Sequence, residues 1–360
     1  MTGIVGKTIL ITGGAGFVGS SLAISFKRKY PSYQILCLDN LKRRGSELAI
    51  PRLTESGIKF IHGDIRNRED FDSVQDRVDL LIEASAEPSV LAGLKGTPDY
   101  LLNTNLMGTI NCLNFAVKNK SDFIFLSTSR VYPIGRIEQI NFEEKQTRFA
   151  ISESQVISGV SSIGISESFP LDGYRSLYGA SKLSSELIIN EYNQFYNLKT
   201  VINRCGVLTG PWQMGKIDQG VVVLWMARHF WKKSLSYIGY GGLGKQARDM
   251  LHVDDLFRLA DIQAHEMNKY SNQTFNVGGG DEVSLSLQEL TMMCEKITGN
   301  RIEIGNVIEG RQADIRIYIT DNTKIKKISG WQPQIMSEQI LQEIFEWIRN
   351  NEKNLKAILS

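Results

Sequence analysis

A glycine-rich stretch near the start of the chain constrains the fold more than any other feature. The apolar run ILI at residues 9–11 leads into TGGAGFVG at residues 12–19. Such a run is typical of a buried strand, and the glycines predict a turn into a helix that begins near Phe17. Gly13 would permit the tight turn, Gly16 would let the backbone approach a pyrophosphate, and Gly19 would let helix and strand pack closely. Free N–H groups at a helix start favour phosphate, so the stretch predicts a dinucleotide site that includes Phe17 and Val18.

An acidic residue after the second apolar run supports this interpretation over an ordinary turn between a strand and a helix. Residues 34–38 form that run, and Asp39 and Asn40 follow it. An acid about 20 residues beyond the glycines is where the ribose hydroxyls of the adenosine are bound, so Asp39 indicates NAD. The basic run Lys42–Arg44 leaves an alternative open. It is either a solvated loop or a site for the 2′-phosphate of NADP.

Strands and helices alternate through the first half of the chain. Further apolar runs at residues 59–62, 78–83, 122–128 and 199–204 predict four more strands. This alternation predicts an α/β fold, a Rossmann-like doubly wound parallel sheet with a second, smaller domain. Ligands bind at the carboxyl ends of such strands, where Asp64, Ala84 to Ala86, Thr128 and Arg204 stand. These residues and the glycines could therefore lie together in one cleft.

Composition excludes several classes of protein. The chain has 360 residues, of which 42% are hydrophobic and 22% charged, and a formal net charge of +2. The basic residues are dispersed, so we expect no nucleic-acid partner. No apolar run approaches about 18 residues and no leader pattern is seen, so we expect a cytoplasmic protein without a membrane partner. The four cysteines and four histidines have no metal-ligand spacing, which predicts no metal site and buried, unpaired thiols.

The remaining segments show less regular patterns. Residues 135–176 lack periodicity and predict a long loop, which in a compact domain is more often functional than idle. The apolar stretch at residues 221–231 predicts a helix in the core of the smaller domain, a role that we favour over direct ligand binding. Residues 337–350 predict an amphipathic packing helix with Ser337 as its cap.

A tyrosine and a lysine at helical spacing are the candidate catalytic pair. Tyr178 and Lys182 are four residues apart and would share one face of a helix. A nearby ammonium favours phenolate, lowering the tyrosine pKa from about 10 toward the range where it can accept a proton from an alcohol. Thr128, at the end of a predicted strand, could hydrogen-bond the same reacting oxygen. A tyrosine and a lysine at this spacing are common at protein surfaces. The position of this pair after a dinucleotide motif is what favours a catalytic role.

Taken together, these motifs resemble the extended short-chain dehydrogenase/reductases, the nucleotide-sugar epimerases and dehydratases, over nearly the whole chain. In that family the tyrosine is the general base, the lysine lowers its pKa and holds the nicotinamide ribose, and a serine or threonine polarises the substrate oxygen. The resemblance implies that Tyr178, Lys182 and Thr128 are catalytic. The NAD site it implies comprises Gly13, Gly16, Phe17, Val18, Asp39, Asn40, Arg43, Asp64, Ile65, Ala84, Ser85, Ala86, Asn105, Ser127, Tyr178, Lys182 and Arg204.

The resemblance also implies a nucleotide-diphosphate sugar as substrate. Arginine suits the diphosphate because its fixed fork binds phosphate oxygens bidentately, although Arg248 and Arg311 could instead form surface ion pairs. The implied substrate residues are Glu87, Ser129, Arg130, Gln213, Gln219, Arg248 and Arg311. Residues 1–204 with 249–278 would form the NAD-binding Rossmann domain, and residues 205–248 with 279–360 the smaller C-terminal substrate-binding domain. Family members pair through helices, so a homodimer or homotetramer is expected.

The residues after Thr128 bear on the reaction. The family's 4,6-dehydratases have Asp-Glu there, whereas this chain has Ser129 and Arg130, which favours epimerisation or simple oxidation. The sequence is most similar to the CDP-paratose/CDP-tyvelose 2-epimerases, in elements that include residues 147–149, 166–172 and 218–220. The implied mechanism is transient oxidation to a keto sugar and return of the hydride to its other face.

Three departures from the family pattern surround the predicted sugar and cofactor sites. Glu83 replaces the usual histidine, Glu87 stands near a position that is often glutamine, and Pro133 replaces a glycine. Epimerisation at C4 and a dehydrogenase or reductase with net redox change are the alternatives. An idle binding protein would be expected to have lost Tyr178 or Lys182, and both are present.

Overall fold

The computed structural model of the protein describes residues 6–94, 96–215 and 219–359. Its strands are β1 (Thr8–Thr12), β2 (Gln34–Asp39), β3 (Lys59–His62), β4 (Leu80–Glu83), β5 (Asp122–Thr128), β6 (Phe142–Glu144), β7 (Phe149–Ile151), β8 (Val160–Ser161), β9 (Gly164–Ile165), β10 (Thr200–Cys205), β11 (Val207–Thr209), β12 (Leu235–Ile238), β13 (Ala247–His252), β14 (Gln273–Val277), β15 (Ser284–Ser286), β16 (Ile304–Val307) and β17 (Ile317–Tyr318). Its helices are α1 (Phe17–Lys29), α2 (Ala49–Glu55), α3 (Asp99–Leu102), α4 (Gly108–Asn119), α5 (Ile134–Ile137), α6 (Leu177–Tyr196), α7 (Val221–Phe230), α8 (Val253–His265), α9 (Met267–Tyr270), α10 (Leu287–Thr298), α11 (Thr323–Ser329), α12 (Ser337–Asn350) and α13 (Glu352–Leu359).

A seven-stranded sheet forms the centre of the α/β fold. Its order is β14-β10-β5-β4-β1-β2-β3, and the β5-β4-β1-β2-β3 pairs are parallel. β1 lies between β2 and β4. The chain adds β2 and β3 on one side of β1 and then β4 and β5 on the other side, as a doubly wound fold requires. The strands are continuous apolar runs because helices cover both faces of a parallel sheet. The predicted Rossmann-like fold is confirmed.

The chain divides into two compact units. The first comprises Met1–Thr128, Leu177–Arg204 and Leu256–Thr274, and the second comprises Ser129–Ser176, Cys205–Asp255 and Phe275–Ser360. In the first unit, a core of sheet residues such as Leu81 and Phe123 packs with Leu113 of α4 and Ile189 of α6. This burial of apolar surface stabilises the sheet edge from which the site residues project.

The segment 129–176 belongs to the second unit, whereas the sequence-based boundaries assigned it to the Rossmann domain. The prediction of a long loop at residues 135–176 was wrong, because the segment holds helix α5 and the antiparallel hairpins β6–β7 and β8–β9. The first hairpin is bound within its own unit: the Arg148 guanidinium donates to the Glu289 carboxylate, and the Phe149 N–H donates to the Lys245 carbonyl. Strands of two or three residues are too short to show a repeat in the sequence.

Two predicted helices lie where the sequence placed them. α7 is buried along most of its length, and its Trp225 donates to Thr291 of α10, which confirms its predicted role in packing. α12 spans the predicted residues with its apolar stripe buried. Its predicted serine cap was wrong, because Met336 is the cap residue and Ser337 is the first helical residue. The Ser337 hydroxyl is buried, and no hydrogen-bond partner is found for it in the described part of the chain.

All four cysteines are buried, as predicted. Among the described residues, no helix combines the length and the apolar character that a membrane crossing needs.

Candidate active site

The glycine turn after β1 has the geometry that the sequence predicted. Gly13 has a φ of 65°, a conformation that side chains disfavour, and a Cβ there would lie 2.9 Å from the Ala84 backbone. A Cβ on Gly19 would lie 2.2 Å from the Gly13 carbonyl oxygen, so the first turn of α1 packs against the glycine turn itself. A Cβ on Gly16 would meet only the Gly13 carbonyl oxygen, at 3.1 Å. The backbone is therefore open at Gly16, where a pyrophosphate would approach the N-terminus of α1.

The acidic residue at the end of β2 joins this turn. Asp39 accepts hydrogen bonds from the Ala15 N–H at 3.1 Å and the Leu41 N–H at 2.8 Å, which places its carboxylate beside the glycines. Burial raises the pKa of Asp39, and these backbone donors oppose the shift. The arrangement fits the ribose hydroxyls of NAD, and the carboxylate would repel the 2′-phosphate of NADP.

The neighbouring acid is held in its charged form. Asp64 accepts from Asn40 at 2.9 Å and from the Arg66 guanidinium at 2.6 Å. Burial acts to raise the pKa of Asp64. The hydrogen bonds from Arg66 and Asn40 outweigh this effect and lower the pKa to about 2. The carboxyl ends of β1, β2, β3 and β4 thus lie along one edge of the sheet. Every residue predicted to bind the cofactor lies in the first unit.

The three predicted catalytic residues also lie in the first unit. Thr128 is the last residue of β5, and Tyr178 is the second residue of α6. Lys182 follows one helical turn later on the same buried face, with only 1% of its surface exposed. Its ammonium lies 3.7 Å from the centroid of the Phe125 ring, on β5. Cation–π attraction therefore holds the lysine against the strand that ends at Thr128.

A buried ion pair fastens α6 to the sheet at the next turn of the helix. Glu186 accepts from Arg204 of β10 at 2.7 Å and from the Ser127 hydroxyl of β5 at 2.5 Å, and only 2% of Glu186 is exposed. Tyr178, Lys182 and Glu186 repeat at four-residue spacing, so one helix face carries both the candidate catalytic pair and its brace. Arg204 and Ser127, predicted as cofactor residues, are engaged in this brace.

Asn105 connects the segment after β4 to the same helix. It lies in a π-helical turn, Asn103–Met107, and its side chain is fully buried. Its amide accepts from the Glu87 N–H at 2.8 Å and donates to the Ser181 hydroxyl of α6 at 3.1 Å. Asn105 was predicted as a cofactor residue, and its contact with NAD stays a prediction. Its place in the structure is that of a support for Glu87 and α6.

Glu83 is an ionisable residue in a fully buried place. It ends β4, is completely buried, and accepts from the Thr109 hydroxyl at 2.7 Å. Burial raises its pKa to about 7, although the positive charge of Lys182 acts in the opposite direction. No hydrogen-bond partner of its Oε2 is found over residues 6–94, 96–215 and 219–359.

The predicted substrate residues fall in both units. Glu87 is in the first unit, and the second contains Ser129, Arg130, Gln213, Gln219, Arg248 and Arg311. Arg130 donates to the Ala313 carbonyl at 3.2 Å, and Arg248 pairs with Asp314 at 3.1 Å. The Gln213 amide donates to the Leu208 carbonyl at 2.8 Å. Their contacts with a substrate remain predictions, and Asp218 of the similar segment lies outside the described residues.

Sequence reasoning missed the supporting polar residues of the site. Glu186 could have been found, because it continues the spacing of Tyr178 and Lys182 by one turn. Thr109 and Ser185 gave no signal, since their roles depend on helices that meet only in the folded chain.

The fold and this site define a class: a dinucleotide-binding α/β protein with a tyrosine and a lysine one turn apart on a helix that packs against the sheet. The chain belongs to the NAD dependent epimerase/dehydratase family, whose model matches residues 9–278. NAD is therefore its cofactor, and the open glycine turn and Asp39 fit that group.

Relatives with known names cover almost the whole chain. A CDP-paratose 2-epimerase from Salmonella typhi is 29% identical over 351 residues, which cover 94% of this chain and 98% of that protein. A dTDP-glucose 4,6-dehydratase from Salmonella typhimurium is 26% identical over 363 residues, covering 95% and 93% respectively. The crystal structure of a UDP-glucose 4-epimerase from Thermotoga maritima with UDP-glucose has a TM-score of 0.74 and 26% identity, and covers 96% of this chain and 100% of that one.

Proposed function

We propose that this protein is an NAD-dependent nucleotide-sugar epimerase that acts like the CDP-paratose/CDP-tyvelose 2-epimerases. The observation that carries the proposal is the pair of residues after Thr128. Ser129 and Arg130 begin the short turn that follows β5, in the two positions where the 4,6-dehydratases of the family have an acid pair. Elimination of water needs an additional acid and base, and neither side chain supplies a carboxyl group.

The likeness to the CDP-paratose 2-epimerase of Salmonella typhi supports this choice over the dehydratases. It extends over 94% of the chain at 29% identity, against 26% for the dehydratase from Salmonella typhimurium. The difference is small, so the side chains after Thr128 carry more of the argument than the identities do.

In the proposed reaction the residues of the first unit move one proton and stabilise one oxygen. Tyr178 removes the proton of a sugar hydroxyl through its phenolic oxygen, and returns it when the sugar is reduced again. The ammonium of Lys182, one helical turn away, favours the phenolate. Thr128 donates a hydrogen bond to the reacting oxygen. Bound NAD supplies the chemistry of reversible hydride transfer. Because oxidation is followed by reduction, the enzyme needs no net redox partner.

The site is built to hold the lysine and tyrosine in one geometry. Lys182 is held over Phe125, while Glu186 and Arg204 fasten the next helical turn to the sheet. Such fixed placement keeps the reacting groups aligned through both halves of the reaction.

The test is incubation of the purified protein with CDP-, UDP-, GDP- and dTDP-hexoses and 6-deoxyhexoses without added cofactor, followed by NMR of the sugar ring protons. We expect inversion at one carbon, C2 of a CDP-sugar, with no net change in nicotinamide absorbance. Tyr178→Phe is the matched control, since it removes only the phenolic oxygen. Inversion at C4 would indicate a different epimerase. A keto product with stoichiometric NADH would show a dehydrogenase, and a dehydrated product a dehydratase; either would overturn the proposal.

A further inference from the structure

A buried polar cluster surrounds Glu83 beneath the candidate catalytic lysine. In the sheet register, Glu83 lies opposite Thr12 of β1 and Phe125 of β5. The Lys182 ammonium lies over the Phe125 ring, and α4 contributes Thr109. Cys112 of α4 is a further titratable neighbour, and its thiol pKa is raised well above its ordinary value by burial and, next, by the charge of Glu83.

Glu83 is able to change its charge near neutral pH. Burial raises its pKa to about 7, whereas the ammonium of Lys182 and the hydroxyl of Thr109 lower it. An ordinary glutamate, with a pKa of about 4.3, would be ionised throughout this range. The carboxyl group is therefore poised to gain or lose a proton, while it remains shielded from water.

The hydrogen bonds of Thr109 differ between the two charge states. Its hydroxyl oxygen lies 2.7 Å from Glu83 Oε1 and 2.7 Å from the Asn105 carbonyl oxygen. A hydroxyl has one proton to donate, and a carbonyl oxygen has none. When Glu83 is ionised, the hydroxyl can donate to the carboxylate. When Glu83 is protonated, the carboxyl group can donate to the hydroxyl, which then donates to Asn105. Each charge state thus has its own hydrogen bond between Glu83 Oε1 and Thr109.

These bonds reach the helix that carries the catalytic pair. The Asn105 carbonyl also accepts from Ser185 of α6 at 2.8 Å, and the Asn105 amide donates to Ser181 at 3.1 Å. Ser181 in turn donates to the Tyr178 carbonyl at 2.8 Å. Glu83 is therefore linked to α6 through hydrogen bonds as well as through the charge of Lys182.

We propose that Glu83 is a positioning residue that, by gaining and losing a proton, changes the charge which Lys182 presents to Tyr178. Ionised Glu83 partly cancels the ammonium, so the Tyr178 phenolate is stabilised less. Protonated Glu83 leaves the full positive charge of Lys182 to stabilise it. The inference rests on the proposed role of Tyr178 as the base, but its test needs no sugar substrate.

The experiment is a pH titration of the NAD-bound full chain by NMR, with tyrosine labelled with carbon-13 at Cζ. The Cζ shift distinguishes phenol from phenolate, and Tyr178→Phe assigns the signal. A unit charge acting over roughly 10 Å at an effective dielectric constant of about 20 shifts a pKa by about one unit. We therefore expect Glu83→Gln to lower the Tyr178 midpoint by about one pH unit, because the negative charge is removed while the Thr109 acceptor is kept.

Three variants make the result specific to Glu83. Glu83→Asp keeps the charge and should restore a midpoint close to that of the wild type. Thr109→Val removes a hydrogen bond that favours ionised Glu83, and should lower the Tyr178 midpoint by a smaller amount. It also serves as the test if Glu83→Gln does not fold. Glu191→Gln removes an exposed charge from the same helix, α6, and should leave the midpoint unchanged because water screens it.

The outcomes separate this inference from the proposed function. A Tyr178 midpoint in Glu83→Gln that equals or exceeds the wild-type value would overturn the inference, whatever the sugar panel shows. A lowered midpoint without epimerisation of any sugar would support the inference and overturn the function instead. Where a sugar is turned over, the acid limb of the kcat profile should move to lower pH in Glu83→Gln, which a merely structural role would not cause.

Discussion

Removal of one partner of the buried pair of Glu186 and Arg204 should destabilise the first unit by several kcal/mol. Glu186→Gln keeps the shape of the side chain but removes the carboxylate charge that faces the guanidinium of Arg204, in a site where the two side chains are 3% and 7% exposed. Removing one partner of a buried pair costs about 3–5 kcal/mol, mainly because the remaining charge has no compensation. At about 2–4 °C per kcal/mol for a unit of this size, the midpoint of thermal unfolding should fall by roughly 6–20 °C.

The assay must report on the first unit. All five tryptophans lie in the second unit, so tryptophan fluorescence follows that unit, whereas far-ultraviolet circular dichroism follows both; the part of the urea transition seen by circular dichroism alone reports on the first unit. The double variant Glu186→Leu with Arg204→Met removes both charges and should be less destabilised than Glu186→Gln. Glu266→Gln, in an exposed pair with Lys269, should leave the urea midpoint unchanged. A loss below about 1 kcal/mol in Glu186→Gln would refute the reasoning, since such a loss is typical of exposed pairs.

Three further predictions concern Tyr178 as the general base, the glycine turn, and the loss of folding stability at low pH. Tyr178→Phe should retain the fold and NAD binding but lower kcat by about 10²–10⁴-fold, measured on the sugar found active; near-normal turnover would contradict its role as the base. Gly16→Ala should preserve the thermal midpoint and weaken NAD binding in calorimetry, whereas Gly13→Ala should lower the midpoint, because its φ of 65° and the 2.9 Å approach to the Ala84 backbone leave no room for Cβ. Equal effects of the two substitutions on stability would argue against this geometry. The pKa of Asp64 is about 2 in the folded protein and about 3.9 when unfolded, so its stabilising effect is present above pH 4 and is lost as the pH falls toward 2. Asp64→Asn should remove this part of the acid dependence in urea titrations, and an unchanged profile would assign the acid sensitivity to other groups.

The sheet could be predicted from the sequence because its strands are continuous apolar runs. β3 and β5 have the predicted bounds, and α1 begins at Phe17 as the glycine pattern required. Signals of this kind are local, and burial on both faces of a parallel sheet makes them strong.

Features that depend on tertiary contacts could not be predicted. Ser337 satisfies the sequence pattern for a helix cap. In the structure Ser337 is instead the first residue of the helix, and its hydroxyl is buried. Arg204 and Asn105 were predicted to contact NAD, and the structure adds hydrogen bonds of theirs to Glu186, Glu87 and Ser181 that the sequence did not indicate. A polar side chain near a site can support neighbouring elements, contact the ligand or do both, and the sequence does not distinguish these roles.

The order of strands in the sheet has a consequence for synthesis of the chain. β10 lies beside β14, which forms one edge of the sheet and is reached only at Gln273. Translation at about 5–20 residues per second needs roughly 4–14 s to cover the intervening stretch. During that interval the outer edge of an apolar strand lacks its neighbour and can pair with another nascent chain. Ribosome-stalled chains that end between these strands should therefore depend on chaperones, and release from that dependence should coincide with the emergence of β14.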